Sequence, residues 1–238
     1  MTNFTNLKNQ STHKYLFTLT SMRTKSRLEE FRSYTLQLEQ KFDTDKQSVE
    51  ESYHEAVNLI EHDEENDAHE YFGEMYQEID SVNVPLFRSS TVVTMYSFLE
   101  SSMNKLCRSL YKLKNYNIDL SELRGEGIVR AKSYLINFAG ADFDVLNGDW
   151  SKLVALNLVR NCLVHNEGII NGSRSENKLK NTVEGTAGIY SNHYSEIIIE
   201  REYIDNCIDV IESFLLDLYN QLKDSEILDN VALVSQGN

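Results

Sequence analysis

Seven apolar residues, Val92, Tyr96, Leu99, Met103, Leu106, Leu110 and Leu113, follow one another at spacings of 4, 3, 4, 3, 4 and 3 without a miss. Only a helix returns side chains to one face at that period, so the stretch predicts a long α-helix with a bundle-core stripe. A second stripe, Ile204, Ile208, Ile211, Leu215, Leu218 and Leu222, predicts a final helix from about Glu202 to Lys223. Such stripes have to be buried against other elements, and helix breakers are too scarce to favour anything but helices. Pro85 is the one proline, and eight of the ten glycines fall between Gly125 and Gly188. Pro85 itself suits a first helical turn.

The rest of the chain reads as follows. Residues 1–11 are a polar, loosely held start, and a helix runs from about Ser11 to Phe42. Asp43-Thr44-Asp45 is a break, and Ser48-Val49-Glu50-Glu51 is a capping box that opens a second helix. Glu61 to Asp67 ends or frays that helix, and a third runs from Ala68 to Ile79. Together these predict an antiparallel helical hairpin over residues 1–80, with an acidic outer arm at 43–80. Ser121 to Phe138 holds one or two short helices, and Gly168 to Gly188 is a loop. Tyr190 to Glu200, with Ile197-Ile198-Ile199, is strand-like and part of a small hairpin.

One helix differs from the others. Asp149 to Gly168 reads DWSKLVALNLVRNCLVHNEG, with Asp149 placed to cap its start and Gly168 to take the left-handed position past its end. It is apolar almost all the way round, the mark of a buried helix. Yet Asn157, Arg160, Asn161 and His165 fall in one sector roughly 140° wide. A buried arginine needs an anionic partner or a phosphate, because leaving it unpaired costs several kcal/mol.

Arg160-Asn161-Cys162-Leu163-Val164-His165 resembles the R-x(4–6)-H signature of HEPN domains, including the polar residue after the arginine. The resemblance spans about Asn83 to Asp224. It implies an all-α, up-and-down helical bundle over residues 81–238, to which the hairpin at 1–80 is an extension and the 190–200 segment a small β element. It also implies a metal-independent endoribonuclease of the RNA-cleaving toxin or phage-defence kind, acting as a homodimer with two motifs across one cleft. A regulatory partner such as an antitoxin fits the same picture. Several HEPN groups carry an acid on the first long helix, and in Tyr96-Ser97-Phe98-Leu99-Glu100 that acid is Glu100, placed by the resemblance to hold Arg160. The alternative function is a non-catalytic HEPN-like module that binds a nucleotide or a partner.

The chemistry suits these residue types. RNA carries its own nucleophile, the 2′-hydroxyl, so an enzyme need only move protons and stabilise charge on the phosphorus. Histidine titrates near neutrality and suits the first task. Arginine stays charged and matches phosphate oxygens in pairs. Asn161 can orient either. The expected products are a 2′,3′-cyclic phosphate and a 5′-hydroxyl. The competing reading is structural, with Arg160 bridged to Glu100 and His165 placed at a helix C-terminus, where histidine is favoured.

Charge bears on the substrate. The net charge is −14, which argues against a general nucleic-acid binder. However, residues 43–80 hold fourteen acids and one base, a net −13. The first 28 residues have no acid and five bases, and residues 81–117 have Glu100 as their one acid against five bases. Candidate RNA contacts are therefore Asn157, Lys105, Arg108, Arg174, Lys178 and Lys180. No cofactor or metal is expected. His62 and His69 among carboxylates read as a solvated face, and Asp142 to Asp149 fails as a calcium loop because its glycine is late and no glutamate closes it. Cys107, Cys162 and Cys207 lack metal spacing and read as small buried side chains. No apolar run approaches membrane length and no signal-like core opens the chain, so the expectation is a soluble cytoplasmic protein.

Overall fold

The computed structural model describes residues 2–60, 64–114 and 116–224, with side chains from residue 15 onward. It is 78 % helical and 4 % strand, an all-α fold. In chain order come α1 (Thr2–Val57), α2 (Glu65–Gln77), a π-helical segment (Glu78–Asn83), α3 (Val84–Lys114), a 3₁₀ turn (Leu120–Glu122), α4 (Gly127–Ala139), α5 (Asn147–His165), α6 (Glu176–Glu184), β1 (Ile189–Ser191), β2 (Ile197–Ile199) and α7 (Arg201–Asp224).

The chain forms two compact units, each drawn from separate segments. The first takes the chain up to Glu29, Thr94–Leu158, and Cys207 onward; the second takes Glu30–Val93 and Val159–Asn206. In the first, α3 and α7 bury most of the two predicted stripes, whose first residues, Val92 and Ile204, belong to the second. Leu99, Met103, Ile208, Ile211, Leu215 and Leu218 are fully shielded, and only Leu113 at the end of the α3 stripe is half-buried. On α1, Phe17, Thr24 and Leu28 turn inward, and the Thr24 hydroxyl lies 3.5 Å from the Tyr219 hydroxyl. Phe143, Trp150 and Phe214 form an aromatic cluster with centroids 5.2–5.9 Å apart. Lys132 lies over two of these rings, a cation–π arrangement that keeps its charge at the edge of the core. Gln221 closes this end by exchanging two hydrogen bonds with the backbone of Asp142.

In the second unit α2 folds back along the end of α1, so a helical hairpin is present. Tyr53 packs edge-on against His69 and Phe72, and Lys46 pairs with Asp80 while lying over the Tyr76 ring. Arg88 on α3 donates two 2.8 Å hydrogen bonds to the buried carboxylate of Glu39 on α1 and a third, at 3.1 Å, to the carbonyl of Ile199 on β2. The Glu39 carboxylate raises the Arg88 pKa further above its ordinary value, mainly through those hydrogen bonds. β1 and β2 pair antiparallel with Tyr190 opposite Ile198, which gives the expected small hairpin.

Four expectations fail, for identifiable reasons. The break at Asp43-Thr44-Asp45 and the capping box at Ser48 are absent, because α1 runs unbroken from Thr2 to Val57. Its capping-type residues find partners one turn away instead. The Thr44 hydroxyl donates to Gln40 O, Lys41 pairs with Asp45, Gln47 donates to Glu51, and Ser52 donates back to Ser48 O. The same helix includes residues 2–11. Ser48 thus opens nothing, and the arm's second helix begins at Glu65; Glu61–Asp63, with His62, lie outside the described residues. The loop from Gly168 to Gly188 contains α6, an amphipathic helix that buries Leu179 and Val183, one turn apart. Finally, α5 is not buried all round. Leu153, Leu156, Val159 and Cys162 face inward, while Val154 and Val164 are exposed. An all-apolar composition does not say which side the neighbours cover.

Pro85 falls in the first turn of α3, as its fixed φ favours. The helix ahead of it widens to a π-turn, in which the N–H of Val84 reaches Ile79 O. A wider turn accommodates a ring that would clash with the carbonyl four residues back. The tail beyond Asp224 lies outside the described residues.

Candidate functional site

The predicted motif occupies the last turn and a half of α5. Val159 and Cys162 bury the inner side of that turn, which leaves Arg160 and Asn161 half-buried beside them and His165 exposed at the final helical position. Arg160 Nη1 donates to Asn161 Oδ1 at 2.8 Å. An amide oxygen fixes the direction of the guanidinium without cancelling its charge. Asn157 lies one turn earlier on the same helix, half-buried.

The chain beyond His165 is tightly held. Glu167 and Gly168 both adopt positive φ, 51° and 80°, so the reversal takes two left-handed residues and not the single glycine expected. The N–H groups of Asn166 and Gly168 both return to Cys162 O, at 2.9 and 3.1 Å. Asn166 Nδ2 and Cys162 Sγ in turn donate to Ile169 O. The β-hairpin then clamps the segment from the other side. Ile197 N donates to Gly168 O at 2.9 Å, Ile170 N to Ser195 O at 2.8 Å, and Asn171 Nδ2 to Ser195 Oγ at 2.8 Å. The helix end that carries His165 is thereby anchored to β2 by backbone bonds. Burial pushes the Cys162 thiol pKa up, so the sulfur stays a neutral donor in this turn.

Glu100 belongs to the first unit. Its half-buried carboxylate faces the N-terminus of α4, where a Cβ built on Gly127 would lie 3.6 Å from Glu100 Oε1 and 3.5 Å from the Tyr96 hydroxyl. An anion at that position is favoured by the helix dipole. Lys105 and Arg108 are exposed on α3 of the same unit. Arg108 adds to the pull that holds Asp119 below the usual carboxylate range, which comes mainly from the hydroxyl and N–H of Ser121.

Among the three cations after the motif, Arg174 and Lys178 are exposed. Lys180 is bridged at 2.7 Å to Glu176, whose pKa is lowered by that bond and by the N–H of Gly172. Lys180 is thus engaged within α6. His69 is exposed on α2 and packs edge-on against Tyr53, and among the described residues no three His, Cys, Asp or Glu side chains gather in a metal-binding group. No helix among them is long and apolar enough to cross a membrane.

Sequence reasoning missed two parts of this region. The hairpin clamp joins residues 168–171 to 195–197 through backbone atoms, which leave no trace in residue type. The Arg88–Glu39 pair joins positions 49 residues apart, and each residue alone looks like an ordinary helix-surface charge. Comparison with protein-family models, with curated proteins and with solved structures finds nothing that matches this chain.

Proposed function

We propose that the chain is a metal-independent endoribonuclease of the HEPN type, an RNA-cleaving toxin or phage-defence effector, with Arg160, Asn161 and His165 as its reacting set. One observation carries the reading. An arginine oriented by a neutral amide stands five residues before an exposed histidine, at a helix end clamped by a β-hairpin. In the proposed site the guanidinium supplies positive charge for a phosphate and the imidazole supplies proton transfer.

In the proposed reaction the 2′-hydroxyl attacks the adjacent phosphorus as its proton passes to a base. The P–O5′ bond breaks as the leaving oxygen takes a proton from an acid, which leaves a 2′,3′-cyclic phosphate and a 5′-hydroxyl. His165 serves as base or acid. In a homodimer with two motifs across one cleft, the two histidines divide the roles. Arg160 holds the non-bridging oxygens, and Asn161 keeps Arg160 aligned. Asn157, Lys105, Arg108, Arg174 and Lys178 are assigned to the RNA backbone.

The second reading, a non-catalytic module that binds a nucleotide or a partner protein, is favoured by the net charge of −14. The two separate on incubation of the protein with total RNA and transfer RNA in EDTA, beside Arg160→Ala and His165→Ala. Cleavage with cyclic-phosphate ends that both substitutions abolish, at unchanged melting temperature, is the expected result. Cleavage that persists in folded His165→Ala removes the proposal.

A further inference from the structure

The outer face of the acidic arm is apolar as well as charged. Tyr71 and Met75 on α2, Val82 in the π-segment and Leu86 at the start of α3 are 60 %, 38 %, 55 % and 67 % exposed. The π-segment winds less per residue than an α-helix, which turns Val82 and Leu86 to the side of Tyr71 away from Met75. With that shift the four fall in one sector roughly 110° wide. Phe72, Tyr76, Asp80 and Phe87 lie outside that sector and are used against α1. Glu70, Glu74 and Glu78 are exposed and lie in or beside the same outer sector. An apolar stripe bordered by like charges is the form of a face that takes an amphipathic helix of opposite charge.

The chain contains such a helix. Residues 1–28 have five bases and no acid. On that part of α1, Phe17, Thr24 and Leu28 are buried, while Tyr15 and Met22, seven residues apart and each 62 % exposed, lie on the outer side with Lys25. Arg23 is exposed beside them. We propose that the Tyr71–Leu86 stripe docks the basic N-terminal stretch of a second copy of this chain, with Tyr15 and Met22 set against the apolar stripe and Arg23 and Lys25 against Glu70, Glu74 and Glu78. Reciprocal docking closes a dimer, and one-way docking builds a chain of copies. The proposal is independent of the ribonuclease reading.

The test uses the full-length protein in analytical ultracentrifugation across a concentration series at low and high salt. One variant reverses the arm (Glu70→Lys, Glu74→Lys, Glu78→Lys) and a second reverses the N-terminal stretch (Arg23→Glu, Lys25→Glu). Each reversal is expected to weaken self-association by about ten-fold or more, and an equimolar mixture of the two variants to associate again. Wild-type association is expected to weaken with salt, since these charges are solvent-facing. Tyr71→Ser with Leu86→Ser, both at exposed positions, is expected to weaken association with helical content retained, and carries the test if a reversed variant misfolds. The proposal is overturned if wild type has the monomer mass at all concentrations. It is equally overturned if association ignores both reversals and the serine pair, or if the reversed variants fail to associate when mixed.

Discussion

The second unit holds two arginines that the fold treats differently. Arg88 is closed in. Its guanidinium meets the Glu39 carboxylate in a fork and caps Ile199 O, with Glu39 only 5 % exposed. Arg160 is aligned by an amide oxygen, and the polar face it belongs to ends in an exposed imidazole. A charge neutralised by a buried carboxylate ties α1, α3 and β2 together. An amide oxygen carries no net charge, so the bond to Asn161 directs the Arg160 guanidinium without neutralising it. On the proposed function the contrast is between a staple and a working group, and substitutions at each should then move different observables.

The largest effect is expected at His165. His165→Ala should lower the RNA-cleavage rate by about 10²–10⁴-fold, the usual worth of a positioned proton-transfer group. The side chain is exposed at a helix end, so the melting temperature should stay near that of wild type. Glu39→Ala should do the reverse. It leaves Arg88 largely buried without its carboxylate, at a cost of about 3–5 kcal/mol in chemical denaturation, while the rate per folded molecule is preserved. Replacing both partners with apolar residues, Glu39→Leu with Arg88→Met, should recover most of that loss. If the double variant is no more stable than Glu39→Ala alone, the staple is misread.

Arg160→Ala comes next, with an expected rate loss of about 10²–10³-fold from one missing charge-stabilising donor. A variant that unfolds instead would place Arg160 with Arg88, as a structural charge. Rates and melting temperatures therefore have to be measured on the same preparations.

The two regions also differ in how far the sequence discloses them. Arg160, Asn161 and His165 stand within six residues on one helix, so their shared face follows from the helical period alone. The stripes of α3 and α7 were legible for the same reason, as was the hairpin, from the β-branched run Ile197-Ile198-Ile199. Glu39 and Arg88 meet only because α1 and α3 pack together, and nothing local marks either residue. α1 shows the converse failure. Asp43, Thr44, Asp45 and Ser48 carry strong local signals for a helix end, but i to i+4 partners absorb them and the helix runs on. In α6 a signal was present in the one-turn spacing of Leu179 and Val183, and the polar residues around them obscured it. The clamp on residues 168–171 uses backbone atoms and was not readable at all.

The smallest effects sharpen the contrast most, because they keep the charge and alter only its geometry. Lysine is a point charge that cannot form a two-pronged fork. Arg88→Lys preserves attraction to Glu39 but gives up one prong or the bond to Ile199 O. One lost hydrogen bond to a charged group should cost about 1.5–3 kcal/mol, less than Glu39→Ala and without change in rate per folded molecule. Arg160→Lys also keeps a cation near the proposed phosphate, yet it loses the planar donor set that Asn161 aligns. Its rate should fall between wild type and Arg160→Ala, with little change in melting temperature. Denaturation curves and single-turnover cleavage on the two lysine variants therefore form a crossed pair. Arg88→Lys should move only the first measurement and Arg160→Lys only the second. If both substitutions move stability alone, then the amide-aligned arginine is a second staple, and the chemistry assigned to the end of α5 has to be sought elsewhere.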